Sequence, residues 1–563
     1  MSDGDVDEDT DAGVDPLPES GSDVDVDVDV DRDRDNDDHR AFWADDVADR
    51  IETRDPEDPV VIKGGVSPSG VPHIGHVNEI MRGYYVAAVL RERGHRVRQV
   101  FTSDDRDPLR SIPHRLMDLD WNVVERDEFD IGALGRNLGT PLTDVPDPFG
   151  CCASFGAHQT ALLERSAEQM GVPIDIVSNT DLYEEGAFEA VTRHLLENVE
   201  LAREVLASYQ DKVDDEYVPF NPRCSECGLL TERVTGVDPG TGTVEYVCAG
   251  VEAGNRTIEG CGHRGTANLR EGKLPWRFEW PAQWAIMEVD FEPFGKDHAE
   301  GSWPSGTDIA KTVLGNRPPV PMVYEWFTLD GAALSSSLGN VITVSEVLDL
   351  VEPDAFRYFF AKSPGKARDF SVEHLDDLVD EFDRFERAYF GESPHREGDR
   401  PMAERAYPYV LDEKRLPGAA VERASDSVRD VVERAREGEL LCGEAEFGRY
   451  REFLDAVYRD RVRIPYRFAA VLGMTDDPDL REDIARPEGH VPEDAPDWAV
   501  ELGLARVDRA RTWARRTENR YDYELKRAEM PDVDPDPETA AALDDLAVSG
   551  SGSTSGISAR LSS

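Results

Sequence analysis

The run Ser67-Pro68-Ser69-Gly70-Val71-Pro72-His73-Ile74-Gly75-His76 limits what this chain can fold into more than any other stretch. It follows an apolar strand-like run, Val60-Val61-Ile62, and leads into Val77 to Leu90, where apolar residues recur at helical spacing. A strand, a Gly/Pro/Ser turn and a helix in that order place the unpaired N–H groups of the helix start, with their partial positive charge, in front of the turn. A polyphosphate suits that position. Small residues at Gly64, Gly65, Ser67, Ser69 and Gly70 let a ligand approach the backbone, and His73 and His76 can reach one side of it from the first helical turn. An ordinary glycine-rich turn with exposed histidines reads the same way locally, so the rest of the chain has to decide.

The second strand, Arg96 to Thr102, ends in Ser103-Asp104-Asp105-Arg106-Asp107. This βαβ order implies a parallel sheet of Rossmann type, with a polar cluster at the carboxyl ends of its strands, where such sheets bind ligands.

Seven cysteines and no secretion signal point to metal or free thiols rather than disulfides. Asp147, Cys151, Cys152 and His158 lie within twelve residues and offer a tetrahedral zinc set. A second set is the knuckle Cys224-Ser225-Glu226-Cys227 with Cys248, Cys261 and His263 returning from a Gly-rich hairpin. Five residues compete there for four positions: Cys261 and His263 are alternatives, or Cys248 is spare, since Ala249 to Gly260 reads as an insertion.

After this ribbon, Trp276, Trp280 and Trp284 stand within nine residues, followed by Gly295-Lys296-Asp297-His298. An aromatic wall beside carboxylates can hold an alkylammonium group, and Glu279, Asp297 and Glu325 are the candidate partners for its charge. Tyr324 to Leu329 reads as a strand, and Ala333 to Asn340 as a mobile Ser/Gly loop of the kind that closes on phosphates. Beyond Ser371 the patterns are helical: Val372–Phe390, Ala419–Gly438, Glu444–Ala470 and Trp498–Arg516.

The chain divides accordingly into an acidic tail (1–40), the first half of a Rossmann-type domain (41–145), a zinc-binding insertion (146–275), the second half (276–370), an all-α domain (371–540) and a Ser/Gly-rich tail (541–563). The first 38 residues hold seventeen acids and two arginines, too polar to bury a core. No run of about 18 apolar residues occurs and no basic-then-apolar leader opens the chain, so a soluble, cytoplasmic protein without a membrane partner is expected. Its 117 acids against 62 Lys+Arg give a net charge of −55, which repels nucleic acid in dilute buffer. At molar salt the Debye length is about 3 Å, and an RNA partner is not excluded. The composition resembles that of haloarchaeal proteins.

His73-Ile74-Gly75-His76 resembles the HIGH signature of class I aminoacyl-tRNA synthetases, and the ordered blocks behind it resemble class I lysyl-tRNA synthetases of the archaeal kind. Those blocks are Pro68–His76, Asp104–Arg110, Pro146–Cys151, Trp276–Pro281 and Gly295–His298. The resemblance implies activation of L-lysine by ATP, with Mg²⁺, and its transfer to tRNA-Lys through a helical domain that reads the anticodon. It implies ATP contacts from Pro68, Ser69, Gly70, His73, Gly75, His76, Gly339 and Asn340, with His73, His76 and Ser335, Ser336 and Ser337 in the catalytic role. The lysine pocket would draw on Gly65, Ser67, Trp276, His298 and Tyr324, and both cysteine groups would hold zinc, Cys152 standing where the family commonly has histidine. One departure is chemical: the loop matching the family's KMSKS signature, Ala333 to Asn340, is apolar at both lysine positions. A degenerate tRNA-binding paralogue, or a class I synthetase for glutamate or cysteine, is therefore the alternative expectation.

Overall fold

The computed structural model describes residues 41–523 and Lys526, apart from 126–127, 212, 254–255 and 335–339. The two tails read from the sequence lie outside the described residues. Helix α1 (Trp43–Glu52) precedes strand β1 (Val60–Val66), helix α2 (Ile74–Glu92) and strand β2 (Val97–Ser103). Three further strands, β3 (Asp175–Ser178), β4 (Phe291–Gly295) and β5 (Val320–Tyr324), complete one sheet of order β5-β4-β1-β2-β3. Every pairing in it is parallel, with Gly65 opposite Thr102 and Gly295 opposite Tyr324.

The chain winds outward from β1 in both directions, so β1 is the point where the strand order reverses. A crevice opens there at the carboxyl ends of β1 and β4. β3 comes from the region assigned by sequence to the zinc insertion. Its four residues are too short a run to stand out, and its pairing with β2 is what makes it part of the sheet.

Helix α2 is buried along most of its length, from Ile74 to Glu92. Its sequence is apolar nearly all round because it lies between the sheet and the helices that follow. Tyr85 donates to the Arg357 carbonyl at 2.8 Å, and Arg82 to the carbonyls of Phe360 and Lys362, tying α2 to a helix at Pro353–Ala361. The helices from Leu375 onward share one apolar core with α2, running from Phe42 to Ala514. Three long helical patterns are broken: Gly418–Val421 is separate from Asp426–Arg436, Glu444–Ala456 from Tyr466–Leu472, and Asp497–Leu504 from Arg506–Arg516. The expected strand from Tyr324 to Leu329 is two, β5 and Phe327–Leu329, with the exposed Trp326 between them.

Between β3 and β4 the chain forms short helices and then an antiparallel sheet of Val234–Asp238, Thr243–Val247 and Arg264–Asn268. The insertion read at Ala249 to Gly260 is a hairpin, with Thr257 opposite Glu252.

Candidate active site

At the crevice, α2 begins with its two histidines capping it. Gly75 N–H donates to Nδ1 of His73 at 3.0 Å, and His73 N–H donates to Nδ1 of His76 at 3.1 Å. A ring nitrogen that accepts a main-chain N–H carries no proton, so each imidazole holds its proton on Nε2. Burial, the neighbouring His76 and Arg115 hold the His73 pKa well below the usual 6.5, and burial lowers that of His76 to about 4. Two neutral rings 4.1 Å apart therefore present Nε2–H donors without a competing charge. Gly75 is required: a Cβ there would stand 2.7 Å from Cε1 of His73.

Ser67, Pro68, Ser69 and Gly70 form the turn, with Ser69 N–H donating to the Ser67 carbonyl at 2.8 Å. Of the loop expected to face it, Ser335, Ser336, Ser337 and Gly339 lie outside the described residues. Its described ends touch the turn. Ile74 N–H donates to the Ile342 carbonyl at 3.1 Å, and a Cβ on Gly75 would lie 3.6 Å from Cδ1 of Leu334. Asn340 donates to the Ala333 carbonyl at 2.7 Å, which ties the two arms together.

On the β4 side the structure brings Gly65 and Tyr324 together through Glu79, a residue the sequence reading had not singled out. Glu79 Oε1 accepts Gly65 N–H at 2.8 Å and Oε2 accepts the Tyr324 hydroxyl at 3.0 Å. Burial raises its pKa to about 7, against the pull of the Gly65 N–H. The half-buried Trp276 stacks on Trp280 with ring centroids 5.2 Å apart, and His298 stands 6.1 Å from Trp276 and 5.5 Å from Trp280. Trp280 is buried, while Trp276 and His298 are partly exposed.

Of the three carboxylates proposed from sequence, Glu279 and Glu325 are engaged elsewhere, while the exposed Asp297 stands beside His298. Glu279 is fully buried, accepting from Tyr183 at 2.8 Å and facing Lys273 Nζ at 2.9 Å. Glu325 accepts from Lys296 at 2.8 Å, and Asp297 lies 3.7 Å from His298. Glu292, between Trp280 and Trp284, takes both indole N–H groups and Lys63. The acidic loop is likewise a latch: Asp104 accepts from Asn179 at 2.7 Å, Asp105 from Thr180 N–H at 2.9 Å, and Asp107 pairs with Lys273.

Both cysteine groups close on themselves. Asp147, Cys151, Cys152 and His158 each point one ligand atom into a group within 4.8 Å, and so do Cys224, Cys227, Cys248 and Cys261. The sulfur pairs Cys224–Cys261 and Cys227–Cys248 are 3.6 Å apart and Cys151–Cys152 3.8 Å. A tetrahedron with Zn–S bonds of about 2.3 Å has edges of about 3.8 Å, so the donor sets fit zinc. His158 is held for that role, its Nε2 hydrogen-bonded to the Met117 carbonyl at 2.8 Å while Nδ1 faces Cys151 and Asp147. His263 is outside the second group. Gly262, at φ +76, turns the chain between Cys261 and His263, and the His263 ring goes to Ser225 Oγ at 3.2 Å.

Residues 41–409 match the family model described as tRNA synthetases class I (K), and the chain belongs to this class I tRNA synthetase family. Its similarity extends well beyond the family core. The lysine–tRNA ligase of Haloarcula marismortui is 64% identical over 508 residues, covering 90% of this chain and 85% of that protein. That of Halobacterium salinarum is 60% identical over 509 residues with the same coverage. The lysine–tRNA ligase of Pyrococcus horikoshii is 29% identical over 491 residues, covering 84% and 80%.

Proposed function

We propose that the crevice activates L-lysine with ATP and that the chain transfers the lysyl group to tRNA-Lys, as a lysine–tRNA ligase. The observation that carries the amino-acid choice is the Gly65–Glu79–Tyr324 arrangement. It offers a carboxylate, held from two sides, on the helix that the two histidines begin. Glu79 meets the ε-ammonium, while Trp276 and His298 cover the alkyl stem.

The reaction is one of positioning and charge stabilisation. The substrate carboxylate attacks the α-phosphorus of ATP, and pyrophosphate, accompanied by Mg²⁺, leaves. The Nε2–H groups of His73 and His76 donate to the phosphate oxygens as negative charge shifts onto them. Neither ring gains or loses a proton. The small residues of the Ser67–Gly70 turn let the triphosphate approach the start of α2.

A lysine-dependent exchange of pyrophosphate into ATP at molar salt tests this reading. Lysine is expected to drive the exchange, and glutamate and cysteine not to. No exchange with any amino acid, while tRNA still binds, would decide for a degenerate paralogue.

Zinc in both groups serves as a structural cross-link. The Cys224–Cys261 set fastens the antiparallel sheet of the insertion, and the Asp147–His158 set fastens the segment beside β2. About two zinc ions per chain are expected by metal analysis, falling to about one in Cys227→Ser and in Cys151→Ser. Unchanged content in both variants would refute the assignment.

Among the described residues no helix is long and apolar enough to cross a membrane.

A further inference from the structure

The apolar lysine positions of the Ala333 to Asn340 loop leave a charge question. Pyrophosphate leaving a nucleotide carries additional negative charge, and charge-assisted contacts to it ordinarily come from cationic side chains. Most cations around the crevice are already committed. Lys63 is paired with Glu292, Lys273 with Asp107 and Glu279, Lys296 with Glu325, and Arg82 is spent on carbonyls.

Arg115 is different. It lies on a short strand, Arg115–Met117, and its Nη2 donates to the Val341 carbonyl at 2.9 Å. The next residue, Ile342, accepts the N–H of Ile74, which follows His73. The guanidinium thus stands where the returning arm of the loop meets the histidine turn. Its charge reaches the His73 ring, and its Nε is buried without a hydrogen-bond partner. Glu346 is its carboxylate neighbour, at 3.6 Å, which is longer than a hydrogen bond. Glu346 is itself occupied with the N–H and hydroxyl of Thr343, at 2.9 and 3.0 Å, and lies 3.9 Å from Arg516. A half-buried cation so weakly compensated, at the junction of the two nucleotide-facing segments, is placed to receive an anion.

We propose that Arg115 is a catalytic residue of amino-acid activation, its guanidinium binding the β- and γ-phosphates of ATP in place of the lysines the loop lacks. This rests on the reading of the crevice as a lysine-activating site. In the step it serves, a lysine carboxylate oxygen forms a bond to the α-phosphorus. The bond from that phosphorus to the oxygen bridging to the β-phosphorus breaks, and its electron pair leaves with pyrophosphate. Arg115 neutralises the charge that accumulates there and exchanges no proton.

The test is lysine-dependent pyrophosphate exchange by the full chain at molar salt, comparing Arg115→Met, Arg115→Lys and the double variant Arg115→Met/Ala333→Lys. Arg115→Met is expected to lower kcat by about 100-fold or more and to raise the KM for pyrophosphate, with the KM for lysine changed less than about threefold. Arg115→Lys, which keeps the charge and the packing of a long stem, is expected to stay within about tenfold of the parent. A lysine at the exposed Ala333 is expected to restore at least about tenfold of the loss in the double variant, because it returns charge to the same phosphates without restoring the Val341 contact. Arg115→Met within about threefold of an active parent overturns this assignment alone. A loss that neither lysine repairs makes Arg115 a clamp on the loop and overturns it as well. A parent chain inactive with lysine overturns the assignment together with the reading beneath it.

Discussion

Replacing Glu79 by Gln is expected to raise the KM for lysine by about 100-fold or more in pyrophosphate exchange, leaving the KM for ATP within about threefold. A hydrogen bond to a charged group in a desolvated site contributes about 1.5–3 kcal/mol, and losing the opposite charge beside a buried ammonium adds to that. The amide keeps the shape and still accepts from Gly65 N–H or Tyr324, so the crevice is expected to remain built.

The pH dependence separates charge from shape. Burial holds the Glu79 pKa at about 7, above its ordinary 4.5. The folded chain therefore binds a proton there between about pH 4.5 and 7 that the unfolded chain releases. Ionising this carboxyl costs stability as the pH rises through that window, and an ammonium in the pocket returns it. Lysine affinity is thus expected to increase from pH 6 to 8, with a proton released on binding below about pH 7. In Glu79→Gln the affinity becomes flat over this range. An unchanged KM, or a parent whose lysine affinity is the same at pH 6 and pH 8, would reject Glu79 as the ammonium partner.

The fold was legible where local chemistry and tertiary role coincide. The Val60–Val66 strand, the turn and the long helix are each specified by residues next to one another, and the parallel sheet follows from their order. The donor groups were legible too, since Asp147 to His158 and Cys224 to Cys227 reach their metal geometry over short loops. The spare ligand was not. Only the turn at Gly262 and the pairing of Arg264–Asn268 with Thr243–Val247 send His263 away from the sulfurs.

Glu79 was missed for a related reason. It sits six residues past His73, inside a helix, and it becomes a site residue only because β1 delivers Gly65 and β5 delivers Tyr324 to its carboxylate. The available signal was a lone acid in the largely apolar stretch Val77 to Leu90. Glu279 stands among the three candidates because tryptophans surround it in sequence. In the structure that crowding is burial, and Tyr183 and Lys273 consume the carboxylate. The broken helices of the carboxyl-terminal region have their causes in residues that the periodicity passes over, such as Pro465 at the start of Tyr466–Leu472.

His73→Asn is expected to lower kcat for lysine-dependent exchange by about 100- to 1,000-fold while the KM for lysine moves less than about threefold. Asparagine is among the better helix caps, so its side-chain oxygen can replace Nδ1 as the acceptor for Gly75 N–H. The start of α2, and with it the position of the turn, is expected to survive with thermal stability close to that of the parent. What asparagine cannot supply is a donor at the place of Nε2, about two atoms farther into the crevice. If the ring's contribution lies in donating to phosphate oxygens as charge builds on them, the loss falls on kcat, as for removal of a single preorganised donor. Because His73 is held neutral well below its ordinary pKa and His76 titrates only at about 4, kcat of the parent is expected to show no histidine step between pH 6 and 8. The contrast with the pH-dependent lysine affinity at Glu79 gives each end of the crevice its own signature. A bell-shaped kcat profile centred near pH 6.5, or a His73→Asn enzyme with full kcat, would show that the imidazole works as an acid or base, or not at all, rather than as a fixed neutral donor.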